Sequence, residues 1–185
     1  MVDINIFSSS DVLHFWFVET PAKNWFMKDP DFDRALQKRF GNITSAAQAG
    51  DYDEVVHSDK EKLALIIVLD QFSRNIYRDT PRAFMGDGRA LALTENLLEK
   101  NADDNFSDNE KIFMYLPLEH SENLAHQELS VAVFSKIQND LAKDMAKKHL
   151  DIIKRFGRFP HRNKILSRTN TAEEIEFLKQ PDSSF

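Results

Sequence analysis

The chain has 185 residues, which corresponds to one domain or two very small ones, and we treat residues 1–185 as a single domain. Hydrophobic residues make up 42% and charged residues 29%, which excludes a disordered chain. The absence of cysteine excludes disulfides, thiolate metal sites and thiol nucleophiles. A formal net charge of −6 argues against a nucleic-acid footprint over the whole surface and leaves only a local basic patch open.

Neither a leader nor a membrane span is recognisable. The first ten residues lack the basic stretch of a secretory leader. The longest apolar run, Leu63–Leu69, is far shorter than the roughly 20 residues that a membrane-spanning helix needs. We therefore expect a cytoplasmic protein with no membrane partner.

Helix start signals recur along the chain, and no alternating strand pattern accompanies them. The first predicted helix follows the serines that end at Ser10. The second opens at Asp29-Pro30 and stops at Gly50, since proline favours the first helical position and glycine the position after the last. Capping boxes, in which Ser or Thr precedes Glu by three positions, predict further helix starts at Ser58, Ser107 and Thr171.

Proline and glycine modify the remaining helices. Thr80-Pro81 predicts another helix start, although two following glycines weaken its first turns. Pro117 should end or kink its helix, because proline cannot donate a main-chain hydrogen bond.

Apolar periodicity predicts two more helices, over residues 121–138 and 143–156. The charged run Lys143–His149 reads as a solvated face of the second. The total is about eight helices joined by short connections. Such connections favour antiparallel neighbours, so we expect an all-α fold of helical hairpins.

A first polar cluster follows Leu63–Leu69, which is apolar on every side and therefore predicts a buried helix. If that helix continues, Asp70 and Arg74 lie one turn apart and can pair, and Asn75 and Arg78 form an adjacent stripe. A structural ion pair is one interpretation. The other is a ligand site, because arginine presents a planar fork of donors to a carboxylate or phosphate.

A second cluster contains Glu119, His120 and Glu122, at a predicted helix that is apolar on two sides. Buried histidine and glutamate must be hydrogen-bonded or their protonation shifts, which is how an acid/base pair arises. Glu122 and His126 have a spacing that could also hold a metal, but the spacing alone is weak evidence, and we predict no metal site. A purely structural polar network is the alternative.

The third cluster is Arg155–Asn163, in which Gly157 should stop the preceding helix and His161–Asn163 should lie on a tight loop. Its candidate ligand residues are Arg158, Arg162 and Asn163, and His161 is a candidate proton-transfer group. Arginines beside helix amide groups make a natural anion site. The alternative is compensation of the preceding helix dipole. Nucleic-acid binding by this basic, aromatic stretch is disfavoured by the acidic net charge.

Five ordered segments along nearly the whole chain carry a resemblance to a known family. They are His14–Phe17, Trp25–Phe40, Leu69–Arg78 with Thr80–Phe84, Tyr115–Glu122 and Arg155–Asn163. On these segments the sequence resembles the bacterial family known as domain of unknown function 924. The resemblance implies a tetratricopeptide-like, right-handed array of helices and supplies no activity. The chain has Ser73 where that family usually has proline, and Leu129 where it usually has arginine.

The expected function is binding, with or without hydrolysis or another transformation, of a small anionic metabolite in a cleft between helices. Its expected ligand-binding residues are Asp70, Arg74, Asn75, Arg78, Arg158, Arg162 and Asn163, and its expected catalytic residues are His120, Glu122 and His161. We expect no cofactor and leave the oligomeric state open. The alternative function is an interaction module that binds an acidic peptide or a terminal carboxylate in an open groove.

Overall fold

A computed structural model of the chain describes residues 7–181 and 183. Every regular element in these residues is helical, which confirms the all-α prediction. None of the described helices is both long and apolar enough to cross a membrane. Residues 1–6, part of the segment inspected for a leader, lie outside the described residues.

The described residues form nine α-helices. In chain order these are α1 Ser9–His14, α2 Pro30–Ala49, α3 Asp59–Ile67, α4 Ser73–Ile76, α5 Asp87–Glu99, α6 Asp108–Glu119, α7 Leu124–Phe134, α8 Asp140–Phe156 and α9 Ala172–Phe177. π-Helical segments extend α1 over Phe15–Glu19 and join α3 to α4 over Val68–Phe72. Single 3-10 turns occupy Ala22–Asn24, Pro81–Phe84, Ala102–Asn105 and Pro160–Arg162.

The predicted helix ends are largely confirmed. All three predicted capping boxes form: the Ser or Thr side chain and the Glu side chain each hydrogen-bond to the main chain of the other residue. Asp29 caps α2, with Pro30 in its first turn. Gly50 and Gly157 end α2 and α8 in the left-handed conformation, at φ 91° and 68°, where a side chain would be strained.

Three details differ from the prediction. Helix α7 covers only Leu124–Phe134 of the predicted 121–138. Thr80-Pro81 begins only a 3-10 turn, and α5 starts later, at Asp87. Gly86 lies between them because the chain passes so close to the π-helical segment after α3 that a Cβ there would overlap the Leu69 carbonyl oxygen. Pro117 does not end α6, since helical bonding resumes with the His120 amide, which donates to the Leu116 carbonyl at 2.8 Å.

Helix α3 lies at the centre of the fold. Leu63–Leu69 is wholly buried, as predicted, and packs against α1, α5 and α6. Aromatic rings converge on Phe113 of α6, which Trp16 and Trp25 meet edge to face at centroid distances of 5.3 and 5.0 Å. Such contacts add to the large apolar area that these rings bury.

Helices α6, α7 and α8 form two consecutive antiparallel hairpins, as predicted. At the turn, Gln127 near the start of α7 donates to the carbonyl oxygen of Glu119 at the end of α6. Further along, the ring of Phe134 meets that of Tyr115 at 5.5 Å. α7 therefore runs back along α6, and α8, which packs on α7, runs in the direction of α6.

Candidate functional site

A cleft of about 780 Å³ opens between α6 and α8 on one side and the chain around α4 on the other. Its lining includes residues from all three polar clusters predicted from the sequence. These are Arg74, Asn75, Arg78, His120, His161 and Arg162. The three clusters therefore meet in space, which the sequence alone could not establish.

The deepest charged group beside the cleft is the Asp70 carboxylate, whose side chain is 1% exposed. Its Oδ1 lies 2.7 Å from His120 Nδ1 and 3.1 Å from Arg74 Nη1, while Gln71 donates its amide to Oδ2. Burial by itself would raise the pKa of Asp70, but the Arg74 and His120 contacts outweigh it and hold that pKa below its usual value. Asp70 is therefore ionised at neutral pH.

His120 ends α6 with its ring in the cleft wall. Burial, reinforced by the Arg74 charge, lowers the pKa of His120 against the opposing effect of Asp70. A neutral ring that donates its Nδ1 proton to Asp70 keeps an acceptor lone pair on Nε2. His120 can thus accept a proton from a molecule in the cleft.

Arg74 has its charge balanced within the protein. In addition to Asp70, its two terminal nitrogens donate to the carboxylate of Asp87, at 2.9 and 3.1 Å. The predicted pairing of Arg74 with Asp70, one helical turn away, is therefore observed, and Asp87 completes the arrangement.

Arg162 is the least balanced arginine of the cleft. It is 6% exposed, and Nη1 donates to the carbonyl oxygen of His120 at 3.0 Å. The nearest carboxylate oxygen, on Asp87, is 3.9 Å away, and Nε has no hydrogen-bond partner among the described residues. Burial and the neighbouring Arg74 lower the pKa of Arg162 to about 10, so it stays charged at neutral pH. This guanidinium would gain most from an anion in the cleft.

A second buried acid/imidazole pair, Glu119 and His149, lies beside the first. The Oε1 atom of Glu119 is 3.2 Å from Nδ1 of His149, which also contacts the Met145 carbonyl oxygen at 2.9 Å. Burial and the Asp70 charge raise the pKa of Glu119 to about 8, and burial lowers that of His149 to about 3. Both are therefore neutral at pH 7. His149 is buried, so its part of the charged run is not the solvated face that we predicted.

The other predicted residues in the cleft lining have partners within the protein. Arg78 donates two hydrogen bonds to the Asp33 carboxylate, at 2.8 and 2.9 Å, and one to the Asn75 side chain. The Asn75 amide donates in turn to the Gln71 carbonyl oxygen. Burial, with the Arg162 charge, lowers the pKa of His161 to about 4, so its ring is neutral.

Four predicted residues lie outside the cleft lining: Asp70, which is buried beside it, and three in a network that anchors the C-terminal part of the chain. Glu122 accepts two bonds from Arg168, at 2.7 and 2.9 Å, and one from the Phe159 amide. Arg158 donates two hydrogen bonds to the carboxylate of buried Glu174, at 2.6 and 2.8 Å. Asn163 is fully buried and donates to the side chain of Asn170.

The sequence placed Glu119 in the second cluster without a role, and it did not indicate four other residues that hold these groups: Asp87, His149, Arg168 and Glu174. All but His149 belong to helix ends or loops, where a charged residue usually serves a cap or faces water. Among the described residues, no group of three or more acidic and histidine side chains is arranged to hold a metal ion.

The fold and the site define an all-helical protein with a cleft whose deep end is charged. The family model described as "Bacterial protein of unknown function (DUF924)" matches residues 12–182. The chain therefore belongs to the DUF924 family, as the resemblance implied. It is similar to the structure of ATU0120, a protein of unknown function from Agrobacterium tumefaciens, at 34% identity and a TM-score of 0.86, over 92% of this chain and 96% of that one. No curated protein matches the chain.

Proposed function

We propose that this protein binds a small organic anion in the cleft and exchanges a proton with it through His120. The observation that carries the proposal is the 2.7 Å contact between His120 and the buried Asp70 carboxylate, beside the incompletely balanced Arg162. Asp70 orients the ring and fixes which nitrogen holds the proton, so it is a positioning residue.

The charges of the cleft support an anionic ligand. Arg74 already faces two carboxylates, whereas Arg162 contacts a carbonyl oxygen and no carboxylate within hydrogen-bond distance. A carboxylate or phosphate beside Arg162 would supply that missing charge through hydrogen bonds assisted by both charges.

Glu119 supports an acid/base reaction more than binding alone. Its Oε2 atom is buried and has no hydrogen-bond partner among the described residues, and its raised pKa keeps the carboxyl protonated at neutral pH. The cleft thus offers a proton acceptor on His120 and a proton donor on Glu119. Two groups with opposite protonation tendencies in one site are the components of general acid–base catalysis.

The size of the cleft favours a small molecule over an acidic peptide. Its volume of about 780 Å³ falls in the range of small-molecule sites, about 300–1,000 Å³. The alternative is a peptide in an open groove, and a short peptide ending in leucine is the ligand that tests it.

The test measures binding of acetate, succinate and inorganic phosphate by calorimetry and by melting shift. Wild type is compared with Arg162→Gln and with Arg155→Gln, which changes an exposed arginine outside the cleft. We expect at least one anion to bind wild type and Arg155→Gln, and to bind Arg162→Gln at least tenfold more weakly. At 100 times its Kd that anion should stabilise wild type by about 2.7 kcal/mol. Equal binding to all three proteins, or no binding by any of them, would contradict the proposal.

A further inference from the structure

Helices α6 and α8 lie parallel and in register. Near their first residues, the Gln138 amide donates to the Asp108 carboxylate at 2.8 Å. Eleven residues further along each chain segment, Glu119 meets His149 at 3.2 Å. Positions thirty apart in sequence therefore lie at the same height, and the two helices form one wall of the cleft.

The wall changes from apolar to polar along both helices together. The side chains that line its first half are Ile112 and Leu116 on α6 and Leu141, Ala142 and Met145 on α8. Those that line its second half are Glu119 and His120 on α6 and at its end, and Lys148 and His149 on α8. From position 112 to position 120 the helix rises by about 12 Å. A ligand that complements this wall would be elongated, with one apolar end and one polar end.

Exposed apolar side chains continue the apolar half to the mouth of the cleft. Leu141 is 74% exposed, Phe26 is 66% exposed and Met27 is 54% exposed, and all three belong to the lining. The Phe26 ring stacks on Phe113 of α6 at 5.8 Å, so it is held against the same wall. Exposed apolar surface that adjoins a cleft is typical of a binding site.

The opposite wall is polar, but the principal groups of that wall bond within the protein. Arg78 bonds to Asp33 and Asn75, and Lys28 lies 3.6 Å from Asp79. An apolar ligand segment against this wall would leave these pairs intact. The incompletely balanced guanidinium of Arg162 lies at the charged end of the cleft.

We propose that the ligand is an amphiphilic anion, with a carboxylate or phosphate headgroup at Arg162 and an apolar tail along α6 and α8 towards Leu141. This inference rests on the proposed anion site and specifies the other half of the molecule that occupies it. The headgroup reaches Arg162 and His120 at the charged end, and the tail covers side chains that otherwise face water.

A homologous series of straight-chain carboxylates tests the proposal by calorimetry. Acetate, butanoate and octanoate share a headgroup and differ only in tail length, and octyl phosphate separates the two kinds of headgroup. Since burial of one methylene contributes about 0.8 kcal/mol, Kd should fall roughly fourfold per added methylene until the tail leaves the wall. The heat capacity change of binding should become more negative with tail length.

Two surface variants distinguish binding of the tail along the cleft wall from non-specific hydrophobic binding. Leu141→Ser removes an exposed apolar group from the wall, whereas Leu129→Ser removes one from α7 outside the cleft. We expect Leu141→Ser to weaken octanoate binding at least threefold and to leave acetate binding unchanged. Leu129→Ser should bind every member of the series as wild type does.

The outcomes separate this inference from the proposed function. If acetate and octanoate bind equally well and both depend on Arg162, the proposed apolar tail is wrong and the proposed anion site is supported. If no member binds, both proposals fall. If a short peptide ending in leucine binds more tightly than octanoate and octyl phosphate, a peptide is the occupant and the small amphiphile is overturned.

Discussion

Nδ1 of His120 lies 2.7 Å from Oδ1 of Asp70, although the two residues are fifty positions apart in the sequence. His120 follows the last turn of α6, and Asp70 belongs to the π-helical segment Val68–Phe72 at the end of buried α3. Single π-helical turns inside α-helices occur frequently at functional sites. The contact therefore joins the two most buried helices at the charged end of the cleft.

Replacement of the Asp70 carboxylate should destabilise the fold. Asp70→Asn keeps the shape of the side chain but leaves Arg74 with one of its two anionic partners. We expect the free energy of unfolding to fall by about 3 kcal/mol, as is usual when one member of a buried pair is removed. Urea denaturation at neutral pH measures the change. A loss below about 0.5 kcal/mol, the range of ordinary surface substitutions, would show that the Asp70 charge is not needed there.

Glu119 should make stability depend on pH. Its pKa rises from 4.5 to about 8 on folding, so the unfolded chain releases this proton at lower pH than the folded protein does. The stabilisation is complete below pH 4.5 and is lost as pH rises towards 8. His149, with a folded pKa of about 3, gives stability that is lost as pH falls below 6.5 and opposes Glu119 only there. Between pH 6.5 and 8, stability should thus decline in wild type.

The variant Glu119→Gln isolates this contribution because it carries no titrating carboxyl group. Urea denaturation at several pH values from 6.5 to 8 should show a smaller decline for Glu119→Gln than for wild type. The difference in unfolding free energy between the two proteins is the quantity to plot. A difference that stays constant over this range would mean that the Glu119 pKa is not raised.

Two nearby glycines provide a matched test of the close approach between the start of α5 and the π-helical segment after α3. Gly86→Ala places a Cβ against the Leu69 carbonyl oxygen, whereas Gly88→Ala meets nothing within 4 Å. We expect Gly86→Ala to cost about 1–3 kcal/mol by overpacking. Gly88→Ala should stabilise α5 by about 0.5–1 kcal/mol, since alanine is the better helix former. Thermal melting of both variants checks the pair, and similar shifts for both would contradict the close approach.

Glu122 should contribute to stability and not to ligand binding. Its carboxylate bonds to Arg168 and to the Phe159 amide, away from the cleft lining. Glu122→Gln should lower the unfolding free energy by about 2 kcal/mol, because hydrogen bonds to charged groups are lost. Anion binding measured by calorimetry should stay within twofold of wild type. Loss of anion binding in a folded Glu122→Gln variant would show that Glu122 belongs to the binding site.

Local signals explain which features of the fold could be predicted from the sequence. The Ser58 capping box and the Gly50 stop depend on residues within one helical turn, and both are observed. The Asp70–Arg74 pair depends on the same spacing and is observed too. Gly86 differs because its role depends on a distant carbonyl oxygen, that of Leu69, rather than on its neighbours in sequence.

Tertiary packing decides the parts of the site that the sequence could not provide. Glu119 meets His149 only because α6 and α8 lie parallel in register, with α7 between them in sequence. Glu122 lies outside the cleft lining and bonds to Arg168, which a later loop supplies. Each contact joins residues that are about thirty or more positions apart, and no local spacing rule reaches that far.

Histidine nitrogen NMR of the labelled protein tests the central claim most directly, with His120→Gln used to assign the His120 signals. We predict a neutral His120 at pH 7, protonated on Nδ1 and unprotonated on Nε2. Addition of the tightest-binding anion should shift the His120 signals in wild type and in Arg155→Gln, but not in Arg162→Gln. A positively charged His120, a proton on Nε2 in the free protein, or the same shift in Arg162→Gln would contradict this claim.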